Sequence, residues 1–137
     1  MDAGYRAKTI GVLISLTIAG FVTYFLLAPV PDTPAGRIPG IDKVVHFTMF
    51  FLIALPALCV APRAWGWIVA LVVIYGGMIE IIQPIFGRGR ELADLIANSL
   101  GALSAVPVGR FMARRVSPSR KGRNHKRSQP DSGIGDT

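Results

Sequence analysis

Four pairs of polar residues interrupt an otherwise apolar chain: Asp42 with His46, Glu80 with Gln83, Arg88 with Arg90, and Asp94 with Asn98. Lys43 adjoins the first pair. Asp42/His46 and Asp94/Asn98 are spaced i,i+4 and Glu80/Gln83 i,i+3, so on helices each of these pairs shares one face. The residue types permit three kinds of chemistry. Arg88, Arg90 and Lys43 are donors that could hold a phosphate or carboxylate through charge-assisted hydrogen bonds. His46, Glu80 and Asp94 are ligand types of a divalent-metal site, or of an acid/base pair acting on a phosphoryl group. The third role is structural, with polar side chains locking helices together.

Several of these residues also have a plain reading. Asp42 can serve as a helix N-cap while Lys43 snorkels to the headgroups. His46 can be a satisfied hydrogen-bonder between helices. Asp94 suits a first helical turn, where the dipole favours acids. Glu80 has no such easy account, because an ionisable group within a bilayer costs about 2.5–3.5 kcal/mol on insertion scales and therefore needs a reason.

The elements that must position these residues are read from hydropathy. The 137-residue chain is 51% hydrophobic, with a mean hydropathy of +0.47. Its charge is confined to a few places, as in an integral membrane protein. Thr9 to Pro31 has no charged residue, Val44 to Ala61 only His46, Ala64 to Gly87 only Glu80, and Leu92 to Gly109 only Asp94. Each run is near the roughly 17–25 residues that cross a bilayer as a helix. The runs are continuous rather than alternating, which excludes barrel strands. The expected fold is an all-α polytopic membrane bundle. A cytoplasmic N-terminus covers 1–8, a four-helix transmembrane domain covers 9–109 (helices at about 9–29, 43–61, 64–86 and 92–112), and a basic, disordered cytoplasmic tail covers 113–137. The first run exceeds the 7–15 residues of a signal-peptide core and lacks a clean A-x-A site, so it reads as a retained helix. The lone Cys59 permits no intrachain disulfide.

The net charge of +7 does not point to nucleic acid. Arg110, Arg114, Arg115, Arg120, Lys121, Arg123, Lys126 and Arg127 form one block beyond the last apolar run, with a solvated His125 among them. Such a block marks the cytoplasmic side. With both termini inside, eleven Lys and Arg lie in the cytoplasm, against Arg37, Lys43, Arg88 and Arg90 outside, so the expected orientation is N-in/C-in. Trp65 and Trp67 then fall at the cytoplasmic interface and Tyr24 near the outer one. All the polar pairs converge on the outer end of the bundle. Ala97, Gly101, Ala105 and Gly109 repeat every four residues, a small-residue face for close helix packing, and Gly76 and Gly77 offer the same on the third helix.

The ordered set Asp42-Lys43-x-x-His46-Phe47, Glu80-x-x-Gln83, Gly87-Arg88 and Asp94-x-x-x-Asn98-x-x-Gly101 resembles the VanZ-like family of small bacterial membrane proteins, over about Ile38 to Arg110. One departure is Pro84-Ile85-Phe86, which lacks the proline that the family commonly places just before Gly-Arg. The resemblance implies a multi-pass protein of the bacterial inner membrane with a role at the cell envelope. The family's founding member is associated with resistance to the glycopeptide teicoplanin, and the resemblance supplies no catalytic mechanism.

Function is expected to be ligand binding by the outward-facing polar cluster. The ligand classes are an anionic lipid, an envelope precursor or an amphiphilic antibiotic. One alternative is an enzyme acting on a lipid phosphate, but the chain lacks a hydrolase signature, an activated nucleophile and an H-E-x-x-H motif. Another is a structural subunit of a larger membrane complex. No cofactor is expected, a divalent metal at His46, Glu80 and Asp94 being the alternative. The expected partners are the bilayer, a lipid or precursor ligand and a membrane-protein partner, with no nucleic acid.

Overall fold

The computed structural model describes residues 3–28 and 39–116. The chain runs α1 (Ala3–Leu27), α2 (Ile41–Val60), a 3-10 turn (Pro62–Ala64), α3 (Trp65–Ile82), a second 3-10 turn (Gln83–Phe86) and α4 (Leu92–Val116). There is no strand among the described residues. All four helices are long and apolar enough to cross a membrane, with spans of 24, 20, 25 and 24 residues. At 1.5 Å per residue about 20 residues cover a 30 Å hydrocarbon core.

The helices overrun the apolar stretches that predict them. α1 begins at Ala3, so Tyr5, Arg6 and Lys8 are helical, and α4 carries Arg114 and Arg115 in its last turn. The i→i−4 ladder needs no apolar side chain to continue, and long basic side chains reach water from the end of a span. Residues 113–116, expected in the disordered tail, are therefore helix. The rest of the tail, from Ser117 through His125 to Thr137, and the prolines at 29, 31 and 34 lie outside the described residues.

α2 and α4 form the principal pair, with α1 laid against α2 and α3 against α4. The small-residue face of α4 is what permits this. A Cβ at Gly101 would collide with the Phe47 carbonyl oxygen, and one at Gly109 would come 2.5 Å from Leu58 Cβ. Ala105 and Asn98 are fully buried on the same side. Gly76 of α3 meets the same seam, where a Cβ would come 2.8 Å from Phe50 Cε1 and 3.2 Å from Asn98 Nδ2. Gly77 instead makes only an ordinary contact, with Leu95. Phe50, Ile53, Ala54 and Leu58 of α2 complete the core with Ala102 and Val106 of α4.

α1 is the most apolar span and the least buried, while α4 is the least apolar and the most buried. That ordering follows from the solvent: lipid tolerates no unpaired polarity, so polar residues belong on the helix most enclosed by protein. α1 is tied on by backbone groups. Pro56 interrupts the ladder of α2, and the neighbouring Ala57 N–H donates to Ser15 Oγ at 3.2 Å. The Tyr75 hydroxyl of α3 donates to the Ala19 carbonyl at 2.7 Å and pairs with the Thr23 hydroxyl.

Candidate functional site

Successive helices alternate in direction, so one end of the bundle gathers the N-termini of α2 and α4 with the C-termini of α1 and α3. Each N-terminus presents unpaired N–H groups and about half a positive charge, and each C-terminus presents unpaired carbonyls. The polar residues answer these ends. Asp42 and Asp94 occupy the first turns of α2 and α4. Gln83 Nε2 donates to the Leu26 carbonyl of α1 at 3.2 Å, and Arg88 donates to the Ala28 carbonyl at 3.4 Å.

Asp42 is not the N-cap that its position allowed. Gly40 holds that place with a left-handed φ of 81° and no side-chain cap. Lys43 does not snorkel away either. Its ammonium turns onto Asp42 at 2.6 Å, Glu91 at 2.5 Å and Asp94 Oδ1 at 3.3 Å, one cation serving three acids. The contact to Asp94 is an ion pair without hydrogen-bond alignment, so Oδ1 is otherwise unpartnered among the described residues.

Beneath this rim lies a buried group. His46 is 1% exposed, Glu80 3%, Asp94 5%, Gln83 1% and Asn98 0%. His46 Nδ1 lies 3.0 Å from Asn98 Oδ1 and 3.6 Å from Glu80 Oε1. A carbonyl oxygen only accepts, so Nδ1 carries the proton and donates to Asn98, and in the neutral ring Nε2 keeps its lone pair. Among the described residues His46 Nε2, both Glu80 oxygens and Asn98 Nδ2 lack a hydrogen-bond partner. A ligating atom from each of His46, Glu80 and Asp94 falls within 4.8 Å of the other two, and Asp42, Glu91 and Asp94 form a second such triad. Asp94 belongs to both.

Above the buried group a cleft of about 1020 Å³ opens at this end. His46 and Asp94 reach it from below, and Asp42, Lys43, Arg88 and Glu91 line its sides. Tyr24, Phe25, Met49 and Phe86 give it apolar walls. The position of Arg88 has a local cause. The 3-10 turn of Gln83–Phe86 ends at Gly87 in the left-handed region, φ 75°, and the Arg88 N–H closes the turn on the Gln83 carbonyl at 3.1 Å. The chain thereby doubles back and brings Arg88 to the cleft. Arg90 is exposed and lies outside the lining.

Asp42, Lys43, His46, Glu80, Gln83, Arg88, Asp94 and Asn98 thus gather at one end, and Arg90 stands apart. Glu91 was not among the sequence candidates. Its signal was an acid three residues before Asp94 at the mouth of the fourth apolar run, which reads as a solvated loop residue beside Arg90. Tyr75 and Thr23 were missed because uncharged polar groups in apolar runs carry no signal until their partners are known.

The chain matches the protein-family model described as VanZ/LLP1 over residues 7–112. No curated protein and no solved structure matches it. The family match takes in most of α1, which the motif resemblance from Ile38 onward left outside, and it covers every residue of the cleft and of the buried group. The chain belongs to the VanZ family of membrane proteins.

Proposed function

We propose that this protein is a ligand-binding component of the bacterial inner membrane and cell envelope, and that its cleft takes the phosphate-bearing headgroup of a lipid or of a lipid-linked envelope precursor. Both termini lie in the cytoplasm in this reading, so the cleft faces outward. The carrying observation is the cleft itself, with apolar and aromatic walls for a tail, and Arg88 at its side, whose contact among the described residues is to a carbonyl rather than to a carboxylate. An arginine with donors to spare at headgroup level suits a phosphate. Lys43 is engaged by three acids and holds the rim in place. An amphiphilic glycopeptide would be a second occupant of the same chemistry, with a polar head above an acyl tail.

The test is native mass spectrometry of the purified full chain offered phosphatidylglycerol, a polyprenyl phosphate and zwitterionic phosphatidylcholine. The expected result is retention of one phosphate-bearing lipid over phosphatidylcholine, and retention weaker by at least about tenfold in Arg88→Ala, the loss of one charge-assisted contact of about 1.5–3 kcal/mol. Arg90→Ala retains the lipid. Equal retention of all three lipids, or an unchanged Arg88→Ala, overturns the reading. It then leaves the structural-subunit role, in which Arg88→Ala is silent and Asn98→Ala lowers abundance. For orientation, a reporter fused after Thr137 is expected to be active only in the cytoplasm.

A further inference from the structure

The charge around the cleft floor does not balance. Asp42, Glu80, Glu91 and Asp94 face Lys43 and Arg88. The two helix N-termini and the two C-termini at this end offset one another, so among the described residues the ionised group is roughly two charges too acidic. Part of the deficit is at the rim, where the single Lys43 sits among Asp42, Glu91 and Asp94. The rest lies below, where Glu80 has the ring of His46 at 3.6 Å and no hydrogen bond to either oxygen among the described residues. Buried polar atoms left without partners are rare in folded proteins, and each one calls for a water, an ion or a function to account for it.

From this arrangement we infer that His46, Glu80 and Asp94 form a divalent-cation site at the floor of the cleft. The three residues come from three different helices, are each more than nine-tenths buried, and bring their ligating atoms within 4.8 Å of one another. Asn98 acts at one remove. By accepting a hydrogen bond from Nδ1–H it fixes the ring and leaves the lone pair on Nε2, the ring nitrogen without a partner among the described residues. One imidazole and two carboxylates suit a first-row ion such as Zn2+ or Mn2+, whereas Mg2+ and Ca2+ favour oxygen alone. Three protein ligands leave positions open. His46 and Asp94 line the cleft and Glu80 lies behind them, so the open positions face the cleft. The ion would turn an acid-rich floor into one that accepts a phosphate oxygen, which deepens the headgroup reading, although the site itself stands on the buried cluster alone.

The test uses the full chain purified in detergent with a tag free of histidine, stripped with EDTA, and titrated by calorimetry with ZnCl2 and MnCl2. One ion per chain is expected, with a rise in melting temperature. Affinity should fall at least about tenfold in Glu80→Gln, which keeps the side chain's shape, and stay unchanged in His125→Ala, which removes the chain's other histidine. No saturable binding to folded chain, or equal binding by folded Glu80→Gln, overturns the site. If Glu80→Gln does not fold, the decision passes to electron paramagnetic resonance of the Mn2+-loaded wild type. Coupling to one imidazole nitrogen supports the site and its absence overturns it. A chain that takes no ion yet still retains the phosphate lipid through Arg88 loses this site and keeps the headgroup reading. A chain that takes the ion and shows no lipid preference does the reverse.

Discussion

The two ends of the bundle both carry charge and treat it in opposite ways. At the cleft end His46, Glu80 and Asp94 are turned inward and almost wholly buried. At the other end Arg63, Arg110, Arg114 and Arg115 are exposed, and two of them lie over aromatic faces: Arg110 at 5.2 Å over Trp65 and Arg115 at 5.0 Å over Phe111. A cation beside a ring at the membrane surface keeps its water and gains about 0.5–1 kcal/mol, which is anchoring. An acid and an imidazole enclosed between three helices are costly, and that cost is what marks a site. Number of charges therefore says little about either end, and burial separates them.

Substitutions made in matched pairs sharpen the contrast. The largest difference is expected between two glycines. Gly101→Leu drives a side chain into the Phe47 backbone and should destabilise the α2/α4 pair by about 3 kcal/mol or more, while Gly66→Leu, which meets nothing within 4 Å, should cost nothing. Reversible unfolding in SDS, followed by the fluorescence of Trp65 and Trp67, measures both. Equal losses would mean that the close approach of the two helices does not hold the site end together. Next comes Asn98→Leu against Arg110→Ala. The first strands the His46 Nδ1 proton and should cost about 1–3 kcal/mol, and the second loses a surface cation–π contact of about 0.5–1 kcal/mol. A larger loss at Arg110 would erase the distinction between site and anchor. The smallest difference is expected for Lys43→Met against Arg63→Met. Lys43 is about a third exposed, so solvent screens its ion pairs and its removal should lower stability only slightly, while Arg63→Met should be silent. Membrane abundance compared with melting temperature in detergent reads this pair.

Much of this was legible in the sequence because the bilayer is a strict solvent. Four apolar stretches with at most one acidic, basic or imidazole side chain each had to be helices, and their alternation placed Asp42, His46, Glu80, Gln83, Arg88, Asp94 and Asn98 at one end without any knowledge of contacts. The i,i+4 ladder from Ala97 to Gly109 likewise announced the seam along which α4 is buried. Less could be read where the answer depended on which side chain reaches which. Lys43 reads as a snorkelling residue, since the sequence cannot say that Glu91, 48 positions later, folds to within 2.5 Å of it. Asp42 reads as a cap because Asp is a common one, whereas the preceding Gly40 takes the left-handed turn that starts the helix. Arg88 and Arg90 look equivalent two residues apart. Only the turn at Gly87 sends the first to the cleft and leaves the second outside.

The pairing of α2 with α4 has a consequence for how the protein is made. His46 finds its hydrogen-bond partner on α4, which leaves the ribosome after the first three helices, and Asp94 and Asn98 lie just inside that helix. A nascent chain that has inserted only its first three segments therefore holds His46 and Glu80 in the membrane with Asn98 and Asp94 still unsynthesised. Such an intermediate has every reason to be short-lived or guarded, since two helices carry polar groups that only a fourth can satisfy. A chain that stops before Asn98 lacks the hydrogen-bond partner of His46, and the buried group is left incomplete.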